Sequence, residues 1–152
     1  MDLLADWNEK ERKRRSSLAY RTIGCAMNVY SKLGPGLYES VYQKAMMVEL
    51  AKQGIKAECE VPIEVFYDGV NLGLGFKMDI LVEDILVLEL KSVSALDGSH
   101  YKQLANYLHL AKKPLGYLLN FNVDDFTLGF GFDKIKNLHY EGDIPDWLYY
   151  NS

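Results

Sequence analysis

Nothing in this chain supplies a broad basic field. Its 17 lysines and arginines are outnumbered by 21 acidic residues, giving a net charge of −4 over 152 residues. With a sequence pI near 5.4, a protein that coats nucleic acid in bulk is disfavoured, although an enzyme needs only a local basic rim. Cysteine is equally scarce. Cys25 and Cys59 are the two present, both in apolar contexts and not in CxxC spacing. Neither a disulfide framework nor a zinc site is indicated, and free buried thiols in a reducing cytosol are the default reading. Of three histidines, His109 and His139 have no partner at metal-ligand spacing, and His100 stands at the start of a predicted helix, where it could be simply polar or touch phosphate or metal. No uninterrupted apolar run reaches the roughly 18 residues that would span a bilayer. The opening MDLLADWNEKERKRR lacks the apolar segment of a secretory signal. The expectation is a soluble, cytoplasmic protein with no membrane partner. The GxxxxGK[ST] phosphate loop, the GxSxG elbow and a glycine-rich strand-to-helix turn are all missing from the sequence.

What is present centres on Phe76–Lys91, FKMDILVEDILVLELK. Two apolar runs of the density expected for covered strands surround a short acidic turn, and Asp79, Glu89 and Lys91 are set into them. Burying such charges costs several kcal/mol unless they are paired or bound to a metal. If Ile80–Val82 and Ile85–Leu88 pair around Glu83-Asp84, Asp79 lies opposite Glu89 or one residue off. Glu89 and Lys91, two apart, share a face. All three then converge at one end of a ribbon, an arrangement suited to a divalent cation held by two carboxylates beside a lysine. A half-exposed strand carrying Glu89 and Lys91 as a solvated pair is the plainer alternative. A glycosidase carboxylate pair would leave Lys91 unexplained.

Along the chain, residues 1–15 read as a basic arm or frayed helix start, ending in Lys10, Arg12, Lys13, Arg14 and Arg15. Such an arm is either solvated or a phosphate contact. Residues 16–138 read as one domain, and residues 139–152, with Trp147, Tyr149 and Tyr150, as a tail docked on it. From Ser16, Leu18, Ile23, Ala26, Met27 and Tyr30 keep to one helical face until Gly34-Pro35-Gly36 breaks the chain. A second helix, Leu37–Gln53, offers Val41, Ala45, Val48 and Leu50 to the core and stops at Gly54. Ile55–Tyr67 alternates, Asp68-Gly69 signals a hairpin, and Val70–Val82 answers it. A third helix spans His100–Lys112. Leu115–Phe121 is a short strand, and Phe126–Phe132, FTLGFGF, a further edge strand. The order α-α-β-β-β-α-β describes an α/β (α+β) fold, a mixed sheet with helices packed on it. Glu39 falls in the first turn of the second helix, where the helix dipole favours a carboxylate, with Tyr42 one turn on. Gln103 and Tyr107 share a face of the third helix.

Together these residues resemble the restriction-endonuclease-like, PD-(D/E)xK nuclease superfamily. Asp79 followed by Glu89-Leu90-Lys91 matches its core motif, with Met78 where the proline usually stands. Gly36-Leu37-Tyr38-Glu39-Ser40-Val41-Tyr42 resembles the signature of the GxxExxY family within it. The likeness runs from about Ile23 to Phe121 through LGPGLYESVY, FKMDILVED, LELKSV, QLANYL and GYLLNF. The segment FTLGFGFDKI departs from the usual ending, a glycine followed by basic residues. The resemblance implies an αβββαβ core in which Asp79 and Glu89 hold a metal. Glu39 binds it directly or through water, and Leu90, which has only its backbone to offer, belongs to the same set. Lys91 would position the attacking water and stabilise charge on phosphate, and Gln103 and Tyr107 match the glutamine–tyrosine helix motif of exonuclease-type members.

The expected activity is Mg²⁺-dependent hydrolysis of DNA phosphodiester bonds, with Mn²⁺ as a substitute. Other phosphate esters, such as RNA, remain alternatives. So does a catalytically silent module of the same fold that binds nucleic acid or a protein partner. Tyr38, Tyr42, Tyr101 and Tyr107 are available to stack bases, or to fill the core. A homodimer would let two single sites cut both strands.

Overall fold

The computed structural model describes residues 2–150. Met1, which begins the predicted arm, and Asn151-Ser152, which end the predicted tail, lie outside the described residues. The chain starts with α1 (Leu3–Ser16), capped by the Asp2 carboxylate, which accepts from the amides of Leu4 and Ala5. No residue of α1 is buried. Four of its five cations pair within the helix instead: Lys10 with Asp6, Lys13 with Glu9, and Arg14 and Arg15 with Glu11.

At Ser17 the backbone turns extended and a new helix begins. In α2 (Leu18–Leu33) the Ser17 hydroxyl accepts from Tyr20, and the amides of Leu18 and Ala19 donate at 2.8 Å to the carbonyls of Trp147 and Leu148. The C-terminal segment thus satisfies a helix start, and Leu148 is fully buried. The buried face of α2 holds Leu18, Ala19, Thr22, Ile23, Cys25, Ala26 and Val29. Met27 is exposed, against expectation, because the side chains that meet the sheet centre on Ala26 and Val29 rather than beside them. Helix α3 (Glu39–Lys52) begins two residues later than predicted. It buries Tyr42, Gln43, Met46, Glu49 and Leu50, so Val41 and Val48 face solvent rather than the core.

The main sheet has five strands. In their order across it they are β1 (Ala57–Pro62), β4 (Lys77–Val82), β5 (Leu86–Lys91), β6 (Leu115–Asn120) and β7 (Phe132–Lys136). Strands β5 and β6 are parallel and joined through α4 (Gly98–Ala111); the other pairs are antiparallel. This is the α/β restriction-endonuclease-like architecture the sequence suggested.

The predicted long strand Val70–Val82 is two elements. Phe66–Tyr67 (β2) and Val70–Asn71 (β3) form a separate exposed ribbon across the Asp68-Gly69 turn, where both φ angles are positive. Gly73 and Gly75, also at positive φ, break the chain before β4. FTLGFGF is not a strand either. Residues 127–131 turn, with the amides of Phe130 and Gly131 donating to the Thr127 carbonyl, and β7 starts only at Phe132.

Helices α2 and α3 cover one face of the sheet over Ile80, Leu88, Leu90, Leu119 and Phe121. Helix α4 covers the other over Met78, Leu81, Val87 and Leu118. Gly116 of β6 lets α4 approach this closely. A Cβ there would meet Leu104 side-chain carbons at 3.1 and 3.2 Å and the Val87 carbonyl at 3.1 Å.

Candidate active site

Strands β4 and β5 pair Ile80 with Leu88, Leu81 with Val87 and Val82 with Leu86 around Glu83-Asp84, both at positive φ. Continued by one step, that register sets Asp79 against Glu89. There the regular ladder ends. The Leu90 amide donates not to a strand carbonyl but to Asp79 Oδ2, at 2.8 Å. The carboxylate of Asp79 is thereby pinned at the mouth of the hairpin, and Leu90 itself keeps its side chain in the core.

Glu89 is 4% exposed, and its Oε2 is buried without a hydrogen-bond partner. Its only ion pair among the described residues is Lys91 Nζ, 3.8 Å from Oε1. Burial pushes the Glu89 carboxyl up to about 8, and the neighbouring charge of Asp79 pushes the same way, as does Glu39 more weakly; the Lys91 ammonium opposes. Asp79 is also raised, by burial first, against the opposing Leu90 amide and Lys91. Protonated, Glu89 can donate to the Asp79 carboxylate, and a cation taking the place of that proton would let both groups ionise side by side.

Helix α4 supplies a polar relay on the same side. Lys91 Nζ donates to Gln103 Oε1 at 3.3 Å, and Gln103 Nε2 donates to the Tyr107 hydroxyl at 3.1 Å. The ring of Tyr107 leans on Phe76, centroids 5.6 Å apart. Asp79, Glu89, Lys91, Gln103 and Tyr107 therefore form one connected cluster.

Glu39 stands apart from it, exposed at the first position of α3. Its loop is tied to the cluster: Ser92 Oγ, one residue beyond Lys91, donates to the Leu37 carbonyl at 2.7 Å. Among the described residues no three His, Cys, Asp or Glu side chains are grouped to hold a metal ion. The pair of carboxylates still suits a divalent cation, which one or two carboxylates can hold together with waters and substrate phosphates. The residues present fit that donor set, and the orphaned Glu89 oxygen is the observation that says so.

Several expected contacts resolve otherwise. Tyr42 is fully buried and stacked on Phe121, so it cannot receive a base. Tyr101 donates to Asp133, and of these four tyrosines Tyr38, 82% exposed, is the one wholly free of the core. His100 caps its own helix, its Nδ1 accepting from the Asp97 amide. His109 and His139 meet edge to face, centroids 4.7 Å apart, away from the cluster.

Sequence reasoning missed three residues around the site. Asn120, 1% exposed, accepts from the amides of Val93 and Asn122 and donates to the Val93 carbonyl, fixing the chain beyond Lys91. Gln43 and Glu60 meet beside Asp79. Gln43 was legible as the residue four beyond Glu39 on a helix; nothing in the alternation of β1 marked Glu60.

No curated protein and no solved structure matches the chain. Residues 16–131 match the family model of the PD-(D/E)XK nuclease superfamily. That span takes in α2 to β6, including every residue of the carboxylate–lysine cluster, and the chain belongs to this superfamily.

Proposed function

We propose that this protein is a Mg²⁺-dependent nuclease that hydrolyses DNA phosphodiester bonds, with Mn²⁺ able to substitute. The observation that carries this reading is the buried, unpartnered Oε2 of Glu89 beside Asp79, with Lys91 3.8 Å from the other oxygen. Asp79 and Glu89 would hold the ion through their carboxylates, Leu90 through its backbone carbonyl, and Glu39 directly or through water. A bound divalent cation supplies Lewis acidity toward the phosphate and lowers the pKa of water.

The chain's own groups do the rest. Lys91, steadied by Gln103 and through it by Tyr107, orients the attacking water and donates where negative charge develops on the phosphate. The Leu90 amide keeps Asp79 in place. Ser92 ties the loop before Glu39 to the chain just beyond Lys91.

A second reading has one observation in its favour. The β2–β3 ribbon exposes Phe66, Tyr67, Val70, Leu72 and Leu74, a surface suited to a silent module that binds a partner.

Calorimetric titration of Mg²⁺ and Mn²⁺ into wild type and Asp79→Ala, with cleavage assays on circular and linear, single- and double-stranded DNA, separates the two. The nuclease reading expects metal binding that Asp79→Ala abolishes, and cleavage only with metal. Wild-type protein that binds no metal at millimolar concentration and cuts nothing would leave the binding module.

A further inference from the structure

Glu60 sits in the middle of β1 with a φ of 56°, a left-handed backbone inside a strand. Residues with a Cβ avoid that region, and where one is held there the surrounding contacts must offset the cost. The β1–β4 ladder keeps one register, Cys59 opposite Ile80 and Val61 opposite Met78. The step it omits between them is Glu60 with Asp79.

At that omitted step a helix side chain enters. Gln43 of α3 donates Nε2 to the Asp79 carbonyl at 3.0 Å and to Glu60 Oε1 at 2.8 Å. Gln43 is buried and Glu60 exposed. A carboxamide has two N–H groups, so with one taken by the carboxylate the other is aimed at Asp79. Asp79 is then gripped at both ends, its carbonyl by Gln43 and its Oδ2 by the Leu90 amide.

We infer that Gln43 and Glu60 are positioning residues, a brace between α3 and the edge strand that fixes the Asp79 backbone and so aims its carboxylate. A glutamine needed merely to satisfy a buried carbonyl would not require a partner in a left-handed conformation; a carboxylate that must orient that glutamine does. The consequence for metal binding rests on Asp79 being a ligand, as proposed above. The geometry of the brace belongs to the metal-free protein and can be read there.

The test uses the Leu90 amide as a reporter, by ¹H–¹⁵N NMR and hydrogen exchange on metal-free protein, together with calorimetric Mn²⁺ titration and thermal unfolding. Three variants are compared: Gln43→Ala, Glu60→Gly and Glu60→Gln. Glycine accepts the left-handed backbone freely, so Glu60→Gly removes the carboxylate while relieving the backbone. The brace predicts that in Gln43→Ala and Glu60→Gly the Leu90 amide loses its hydrogen bond, shifting upfield and exchanging faster. Mn²⁺ then binds about 10- to 100-fold more weakly, the usual loss when a group that orients a ligand is removed. Glu60→Gly should melt no lower than wild type. Glu60→Gln, which still offers the Gln43 amide an acceptor, should keep the Leu90 resonance in place.

An unchanged Leu90 amide in Glu60→Gly overturns the brace, and if Gln43→Ala does not fold, Glu60→Gly alone decides. If wild type binds no Mn²⁺ while the Leu90 amide responds, the brace stands and the metal-dependent reading falls. If Mn²⁺ binds and the amide does not respond, the reverse holds.

Discussion

Tyr42 lies flat against Phe121, ring centroids 4.4 Å apart and planes 8° apart, and its hydroxyl reaches beyond the stack to hold the turn before Glu39. That hydroxyl donates to the Gly34 carbonyl at 2.6 Å and accepts from the Leu37 amide at 3.1 Å. The tyrosine three residues after Glu39 is thus a strut for the loop rather than a group for chemistry. Tyr42→Phe keeps the stack and strips both bonds. Losing these two half-buried hydrogen bonds costs about 0.5–1.5 kcal/mol each, which for a chain of this size lowers Tm by about 2–4 °C per kcal/mol. Thermal unfolding measures it, and an unshifted Tm would mean that the loop does not depend on the hydroxyl.

Glu89 makes the metal-free protein sensitive to pH in a direction opposite to most carboxylates. Below its ordinary pKa of 4.5 the group is protonated folded and unfolded alike and contributes nothing. Above that, the unfolded chain releases the proton while burial holds it in the fold up to about 8. The metal-free protein therefore loses stability as pH rises from about 4.5 to 8. Asp79, also raised, adds to the trend; Glu49, held low by Lys32, works against it at lower pH. The isosteric, neutral Glu89→Gln isolates the group. Its stability advantage over wild type should be absent at pH 4 and grow toward pH 8. Because a metal displaces the proton, wild-type Mg²⁺ affinity should rise across the same range. Melting curves for both proteins at intervals from pH 4 to 9 provide the comparison; parallel curves would refute the buried-acid account.

In the proposed mechanism Lys91 acts on substrate rather than balancing Glu89. At 3.8 Å from Oε1 it is a loose ion pair, whereas Gln103 and Tyr107 form a relay that orients its ammonium. Lys91→Met retains the stem and deletes the charge. On DNA it should lower kcat by about 10²–10³, the range for removing a donor aimed at developing charge, with Mn²⁺ affinity retained. Gln103→Leu, which frees the lysine without removing it, should give a smaller loss in kcat. Single-turnover cleavage with a parallel metal titration distinguishes these effects. Metal affinity falling in step with kcat would make Lys91 only a counter-charge.

How much of this was legible follows from what decides each feature. The β4–β5 hairpin could be registered from the sequence because an acidic turn divides two apolar runs and the arithmetic from Ile80 and Leu88 leads to Asp79 and Glu89. The Lys91–Gln103–Tyr107 relay was half visible, as an i, i+4 pair without its anchor. The break at Gly73 and Gly75 was not, since an apolar run reads the same whether it pairs once or twice. Glu60 was invisible, because its left-handed backbone goes with a contact to Gln43, which arrives from a helix 17 residues earlier in the chain.

Helix α3 shows why pattern alone misleads even on an ordinary helix. Val41, Tyr42, Ala45, Met46, Met47, Val48 and Leu50 put apolar groups all round its axis, so periodicity carries no phase. The phase is set by contact: Tyr42 must stack on Phe121, and the residues four and eight further on, Met46 and Leu50, follow it into the core, both fully buried. Val48, 55% exposed, is carried to the outside. Met46→Ala should therefore cost about 2–5 kcal/mol, as truncation of a buried side chain does. Val48→Ala should stay within about 0.5 kcal/mol of wild type, tending toward stabilisation because alanine is the better helix former. Urea unfolding of both variants measures the two values, and a loss at Val48 comparable with that at Met46 would mean that α3 is rotated from the phase that buries Tyr42 and brings Gln43 against Asp79.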